Sequence, residues 1–556
     1  MTFTPDNPVL PTHPLELSEI LGQIFEQLKN KDNASTLLVS RRWYQVCEGI
    51  FWRHLESISD FERMLVLLGE VADIYVGPGD NASPYFRLNL NRYPIHKKWV
   101  NFEKHSAFVH SIHLPRLEPY IRACNLIALN RPPRRLFPNL RTLTYTNGAD
   151  ENEFGIEYLS LFMEETVLHF CVRLPSMDAG YRSIQAIESI STMTNLRYLE
   201  VTCRNLIKEV VEALSGVLGD LLKLEVLVLP PYRAVGTIIN QLATHGRIKE
   251  IRSKDIQSKA VHAFDYSFWR PRVLRSSDVE EPSIGHDAFG TLTLLTFSAD
   301  AEGVKKLLLN GGERFPSTIR SLHVEMAKKE SAQDLNSLFH VVRARCPSLV
   351  DFRYSDTSEA SIPFGSADAI RWSGLDFETI RPILFHSLVS LHITHHAPLQ
   401  WSADHLRTLA SSLPLVESLT LNHCPMENPA KPSPPIQSLS SFAKGCLNLK
   451  YLAIYVDASV PFTLQDSDRQ PFRELATLNF GWSQITRESS EDVAVMLAQL
   501  LPATCAIISE QGPRFILQAG PLSDLWENVI RNRNMLLRMR KRVDRFMIIR
   551  GMQTEG

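Results

Sequence analysis

The sequence predicts an α/β fold in which a short helical module precedes a long strand–helix solenoid with a parallel sheet on its concave side. Two patterns carry that expectation. Residues 14–55 place apolar side chains at helical spacing throughout, and behind them one short aliphatic phrase recurs a dozen times at near-regular intervals. Composition agrees, since 556 residues with 44% hydrophobic and 22% charged side chains suit a globular chain of several domains or one elongated array.

The helical module comes first. The Ser18 hydroxyl is placed to cap a first helix, and Ile20, Leu21, Ile24, Phe25 and Leu28 follow at three- and four-residue spacing. A polar turn is expected at 29–33. A second helix then carries Leu37, Leu38, Trp43, Val46 and Cys47, with Phe51 and Trp52 extending its apolar set. Forty residues are too few for an independent core, so the module must lean on a neighbour or a partner.

Ser18, Glu19, Ile20, Leu21, Ile24 and Phe25, then Leu38, Val39, Ser40, Arg41, Arg42 and Trp43, then Phe51, Trp52, Arg53, His54 and Leu55 stand in the order and spacing of an F-box, which they resemble. The family usually places Leu-Pro directly before the first helix, whereas Pro14 here stands four residues ahead of Ser18. The resemblance implies binding to the Skp adaptor of SCF-type cullin-RING ubiquitin ligases. The residues it assigns to that contact are Pro14, Leu17, Ile20, Leu21, Ile24, Phe25, Leu28, Leu38, Val39 and Trp43. A terminal F-box ahead of irregular repeats is similar to the large fungal F-box families.

Between module and array, Phe61, Met64, Leu65, Leu67 and Leu68 predict a helix, and 76–84 reads as a loop rich in Gly, Pro and Asn. The repeating phrase then appears at Val109-Ile112-Leu114, Leu140-Leu143-Tyr145, Val167-Phe170-Val172, Leu196-Leu199-Val201 and Leu224-Leu227-Leu229. It resumes at Leu292-Leu295-Phe297, Ile319-Leu322-Val324, Leu349-Phe352-Tyr354, Leu388-Leu391-Ile393, Val416-Leu419-Leu421, Leu449-Leu452-Ile454 and Leu475-Leu478-Phe480, with a truncated copy at Ile248 and Ile251. Its last two aliphatics alternate as a strand requires, while Val210, Leu214, Val217 and Leu221, or Leu335, Leu338 and Val342, show helical period between phrases. Each unit is a strand and a helix, and only stacking buries both. The array resembles an irregular leucine-rich-repeat solenoid whose consensus Asn is mostly missing. The expected segments are a tail at 1–13, the F-box at 14–58, a joining segment at 59–107, the array at 108–510 and a C-terminal cap with a basic helix at 511–556.

A solenoid offers one concave surface, set by the outward strand residues. The target-binding row expected there contains Arg173, Glu200, His323, Glu325, Arg353, His392, Asn422 and Tyr455, with Thr146, Arg252 and Lys254 at its margins. It is polar and mixed in sign, which suits a protein partner better than a polyanion. His395, His396, His423 and Cys424 fall in equivalent places of adjacent repeats but match no zinc motif, and no metal or cofactor is expected. Residues 425–435 read as a proline-rich exposed loop. The C-terminal segment, with Arg538, Arg540, Lys541 and Arg542, reads as a cap for the array, or as an import signal or anionic contact.

Function classes narrow accordingly. A net charge of -2 argues against general nucleic-acid binding, eight scattered cysteines point to a reducing cytoplasmic or nuclear setting, and no membrane segment is expected. Phosphate-loop, nucleophile-elbow and metalloprotease motifs are missing, so the chain is expected to be a non-catalytic ligase subunit. As such it would hold a protein target by the repeat surface. The alternative is a ligase-independent scaffold or a small-molecule sensor.

Overall fold

A computed structural model describes residues 18–28, 30–74, 85–89, 96–114, 117, 120–131, 134–145, 155–174, 180–202, 208–230, 236–253, 284, 288–312, 314–326, 330–356, 375–395, 398–425, 433–462, 470–509 and 522–554. The tail at 1–13, Pro14, Leu17, Thr146, Lys254, His396 and most of the proline-rich stretch lie outside them. The chain divides into two compact units, Met1–Val228 and Leu229–Gly556.

The first unit opens with three helices, α1 (Ser18–Glu26), α2 (Asn30–Thr36) and α3 (Arg41–Phe51). The polar turn expected at 29–33 is instead mostly helix. Its polar side chains satisfy backbone groups locally: Asn33 is buried and its Nδ2 donates to the Phe25 carbonyl at 3.0 Å, and the Thr36 hydroxyl donates to the Asn33 carbonyl at 2.8 Å. The expected single second helix is broken at 37–40, where the Ser40 hydroxyl accepts from the Trp43 N–H at 3.2 Å and caps α3.

The chain then forms β1 (His54–Leu55), α4 (Ile58–Val66), an antiparallel pair β2 (Glu70–Ile74) and β3 (Tyr85–Asn89), and α5 (His96–Ser106). Repeats follow as β4 (Ser111–Leu114), α6 (Ile121–Asn130), β5 (Thr142–Tyr145), β6 (His169–Arg173), α7 (Gly180–Glu188), β7 (Tyr198–Thr202), α8 (Lys208–Asp220) and β8 (Val226–Leu229). Strands β1 and β4 to β8 pair in parallel, and the phrase residues stand in register, Ile112 beside Leu143, Phe170, Leu199 and Leu227. All five are buried, which is the stacking the period demands.

The second unit repeats the scheme. It runs α9 (Gly236–Leu242), β9 (Glu250–Ser253), β10 (Leu294–Ala299), α10 (Ala301–Asn310), β11 (Ser321–Met326), α11 (Ala332–Arg345), β12 (Asp351–Ser355), α12 (Phe377–Ile380), β13 (Ser390–Thr394), α13 (Ala403–Ser412), β14 (Ser418–Leu421), α14 (Leu439–Gly445) and β15 (Tyr451–Ile454). It ends with β16 (Asp457–Ala458), β17 (Thr477–Asn479), β18 (Gln484–Ile485), α15 (Ser490–Leu500), β19 (Ala506–Ile508) and α16 (Leu522–Thr554). The parallel order is β9 to β15, then β17 and β19, with a small separate pair of β16 and β18. One inward ladder runs Ile251, Leu295, Leu322, Phe352, Leu391, Leu419, Leu452 and Leu478. Side-chain caps set the helix starts: Asp300, Ser331, Asp376 and Ser402 each accept a backbone N–H of the following first turn. The truncated copy at Ile248 and Ile251 is a genuine repeat, with both residues buried.

Candidate functional site

The helical module has an inside and an outside that the apolar spacing did not separate. Leu21, Phe25, Cys47 and Phe51 form its buried core, with Ala34, Leu37, Trp43, Val46, Ile50 and Trp52 packed around them. Phe25 meets the Trp43 ring edge-on at 5.3 Å. Of the residues assigned to adaptor contact, Leu21 and Phe25 are therefore enclosed by this chain's own helices. Ile20 and Trp43 are half-buried. Ile24 and Leu28 stand in solvent, and the turn between α2 and α3 exposes 87% of Leu38 and 60% of Val39. Apolar surface of that extent on adjacent positions is what a partner face requires.

A second set of contacts fastens this module to the first repeats. The residue pair His54–Leu55, at the end of the F-box-like stretch, is itself strand β1 and pairs with Ser111 and Ile112. Glu48, buried at the base of α3, accepts from the Tyr44 hydroxyl and the Lys104 ammonium at 2.7 Å each, and the His105 Nε2 lies 3.2 Å away. Burial alone would raise the Glu48 pKa, but the Lys104 and Tyr44 hydrogen bonds and the nearby cations bring it below the ordinary carboxylate value. Trp52 packs edge-on to the His105 ring at 5.2 Å, and Gly49 sits where an added Cβ would come 3.3 Å from the Phe108 ring.

Several residues of the expected row share one face of the sheet. In the second unit, Thr296, His323, Arg353, His392, Thr420, Ala453 and Asn479 occupy neighbouring register positions on one sheet face. The His323 Nε2 lies 2.9 Å from an Asp351 carboxylate oxygen, and the Arg353 Nε stands 3.5 Å from the other. Burial opposes the Asp351 charge, yet the His323 hydrogen bond and Arg353 hold its pKa down at about 2. The His392 Nε2 is 2.8 Å from the Thr394 hydroxyl, and burial, with His423, Arg353 and His323 nearby, lowers its pKa to about 3. Glu325 accepts from the Ser298 hydroxyl at 2.6 Å. In the first unit, Glu200 is buried and accepts from the Tyr198 hydroxyl at 2.8 Å, and Arg173 is half-buried at the end of β6.

Two expected row members are elsewhere. Asn422 is fully buried at a left-handed φ of 44°, with its Oδ1 accepting the His395 N–H at 3.0 Å. Tyr455 is buried, and desolvation pushes its hydroxyl up to about 12. Both follow the last residue of their strands, where the chain turns, so alternation no longer sends the side chain outward. They line a narrow crevice with Leu399, Trp401, Leu406, Leu421, Pro434 and Ile454 at the strand ends. Asp351 was missed; the residue just before the second aliphatic of each phrase also faces outward, and that position could have found it. Among the described residues no group of three or more His, Cys, Asp or Glu side chains converges as metal ligands, and no helix is long and apolar enough to cross a membrane.

Comparison with known proteins bears on the helical module. A family model described as F-box-like matches residues 18–56. No curated protein matches the chain. Among solved structures, a TLR13–ssRNA13 complex aligns at 11% identity and a TM-score of 0.31, covering 73% of this chain and 56% of that one. The Rad7 and Elc1 complex in yeast aligns at 13% identity and a TM-score of 0.30, covering 66% of this chain and 84% of that one. This chain thus spans little more than half the length of the first. The helices, burial and matched segment agree that the chain carries an F-box-like module at 18–56, followed by parallel strand–helix repeats consistent with a leucine-rich-repeat-like solenoid.

Proposed function

We propose that the chain is the substrate-receptor subunit of an SCF-type cullin-RING ubiquitin ligase, docking on the Skp adaptor by its F-box and holding a protein target by the polar face of its repeats. The observation that carries this reading is the F-box-like segment whose Ile24, Leu28, Leu38 and Val39 remain in solvent. The chain provides no nucleophile in this scheme. It raises the effective concentration of a target lysine near the ubiquitin-charged enzyme, and the β1–β4 pairing with the Glu48 contacts holds the docking module firmly against the first repeats. The target is a protein held through groups such as His323, Arg353, His392 and Glu325, and the setting is cytoplasmic, nuclear or both.

The test is adaptor pulldown by wild type and by Leu38→Glu/Val39→Glu. These side chains support no core, so circular dichroism should be unchanged while a charge in the apolar contact costs several kcal/mol, about a thousandfold in affinity. Failure of the folded wild-type chain to bind Skp would sink the ligase reading.

A further inference from the structure

The last helix, α16, is 33 residues long and its two halves differ. The first half closes the array. Trp526 stacks on Phe480 with ring centroids 4.3 Å apart and donates its Nε1–H to the Ser483 carbonyl at 3.0 Å. Val529 is fully buried, and the Arg533 guanidinium donates to the Pro502 and Cys505 carbonyls at 2.6 and 3.2 Å. Those contacts satisfy what a terminal repeat leaves open.

From Met535 onward the surroundings change. Met535, Met539 and Val543 follow one another at four-residue spacing and are 52%, 53% and 60% exposed. A segment that served only as a cap has no reason to keep such a row in water. Leu536, Met539 and Val543 also continue the alternating three- and four-residue spacing begun by Leu525, Val529 and Asn532, which is the seam of a coiled coil. Arg540 and Arg542 stand at the flanking positions of that seam, Arg538 and Lys541 complete the exposed cations, and residues 535–543 contain no acid.

We infer that residues 535–543 of α16 form a docking seam for an acidic amphipathic helix of a partner protein. The apolar row supplies the buried face and the flanking arginines select carboxylates. A second copy of the same helix is disfavoured, because it brings four cations against four. A lipid surface or a phosphate backbone uses the cations without needing heptad spacing. This inference stands apart from the ligase reading, and its test does not involve the adaptor.

The probe is a fluorescent synthetic helix of about four heptads with Leu at the seam positions and Glu at the flanks, titrated with the full chain. Saturable binding is expected. It should weaken at least tenfold with Met539→Asn/Val543→Asn and again with Arg540→Glu/Arg542→Glu, and vanish when the probe carries Lys in place of Glu. All four residues are exposed, and unchanged hydrogen-exchange protection over residues 526–533 verifies that the cap is intact. Four results would each overturn the inference: no binding of the Glu probe to the folded wild type; equal binding of the Lys probe; self-association abolished by Met539→Asn/Val543→Asn; or binding to phosphatidylserine vesicles or duplex DNA that needs the arginines and ignores the asparagine variant.

Discussion

The helical module and the repeats of the second unit bury Leu and Ile by different means. In the repeats, each inward residue has a counterpart one strand away: Leu452 lies between Leu419 and Leu478, and all three are fully buried. Closure there is a property of the stack. The module has three short helices, a fully enclosed core of a few side chains, and Leu38 and Val39 in water. Among the described residues no repeat covers that side. The same residue types are therefore structural in one region and available for contact in the other, and the difference lies in what stands beside them.

The largest effect expected from breaking that comparison is a charge placed in the module's small core. Phe25→Asp removes an enclosed ring, which costs about 3–5 kcal/mol, and adds an uncompensated carboxylate that costs several more. Hydrogen exchange should show residues 18–52 losing protection while the second unit keeps its own. Uniform loss across the chain would show that the module and the repeats melt together. Next comes Leu452→Ala, for which a loss of about 2–5 kcal/mol is expected in urea unfolding, with protection falling in the neighbouring strands β14 and β17 as well. A loss confined to β15 would argue that the repeats are held separately.

Those contrasts also mark how far the sequence could be read. The period of the aliphatic phrase located β4 to β15 and β17, because a residue that must pack on both neighbours recurs once per repeat, and even the pair Ile248 and Ile251 was enough; it did not reach β1 or β19, which carry no copy of the phrase. Within α1 the spacing could not tell Phe25 from Ile24. Both lie on one broad stripe, and which flank is closed depends on the crossing of α3 and the Trp43 ring. Residues 29–33 read as a turn because Asn and Asp compete with helix, and the tertiary bond from Asn33 to Phe25 overrides that preference. Asn422 and Tyr455 failed for a simpler reason, since alternation ends with the strand. The split character of α16 was visible only as cations mixed with apolar residues until burial separated Val529 from Val543.

The smallest effect expected is also the one that separates the two regions by pH. His392 lies on the second unit's polar face, where His323, Asp351 and Arg353 on neighbouring strands and His423 surround it, and its folded pKa is lowered to about 3. Above about pH 6.5 it is neutral in both states and contributes no pH dependence. Below that value the unfolded chain takes up a proton that the folded chain refuses, so stability falls with pH down to about 3. Glu48 behaves differently. Its folded pKa is lowered, so its contribution is fully present above the unfolded value of about 4.3 and is lost only as pH falls through the lower folded value. The repeats should therefore begin to soften near pH 6 while the module's anchor holds until about pH 4. His392→Gln should flatten the early limb in the second unit and leave the first unchanged, and Glu48→Gln should cost about 1 kcal/mol at neutral pH and flatten only the acid limb around α3 and α5. Urea titrations from about pH 7 to about pH 2, followed by exchange in each unit, measure both limbs. An early limb that survives His392→Gln would assign the softening to another group on that face.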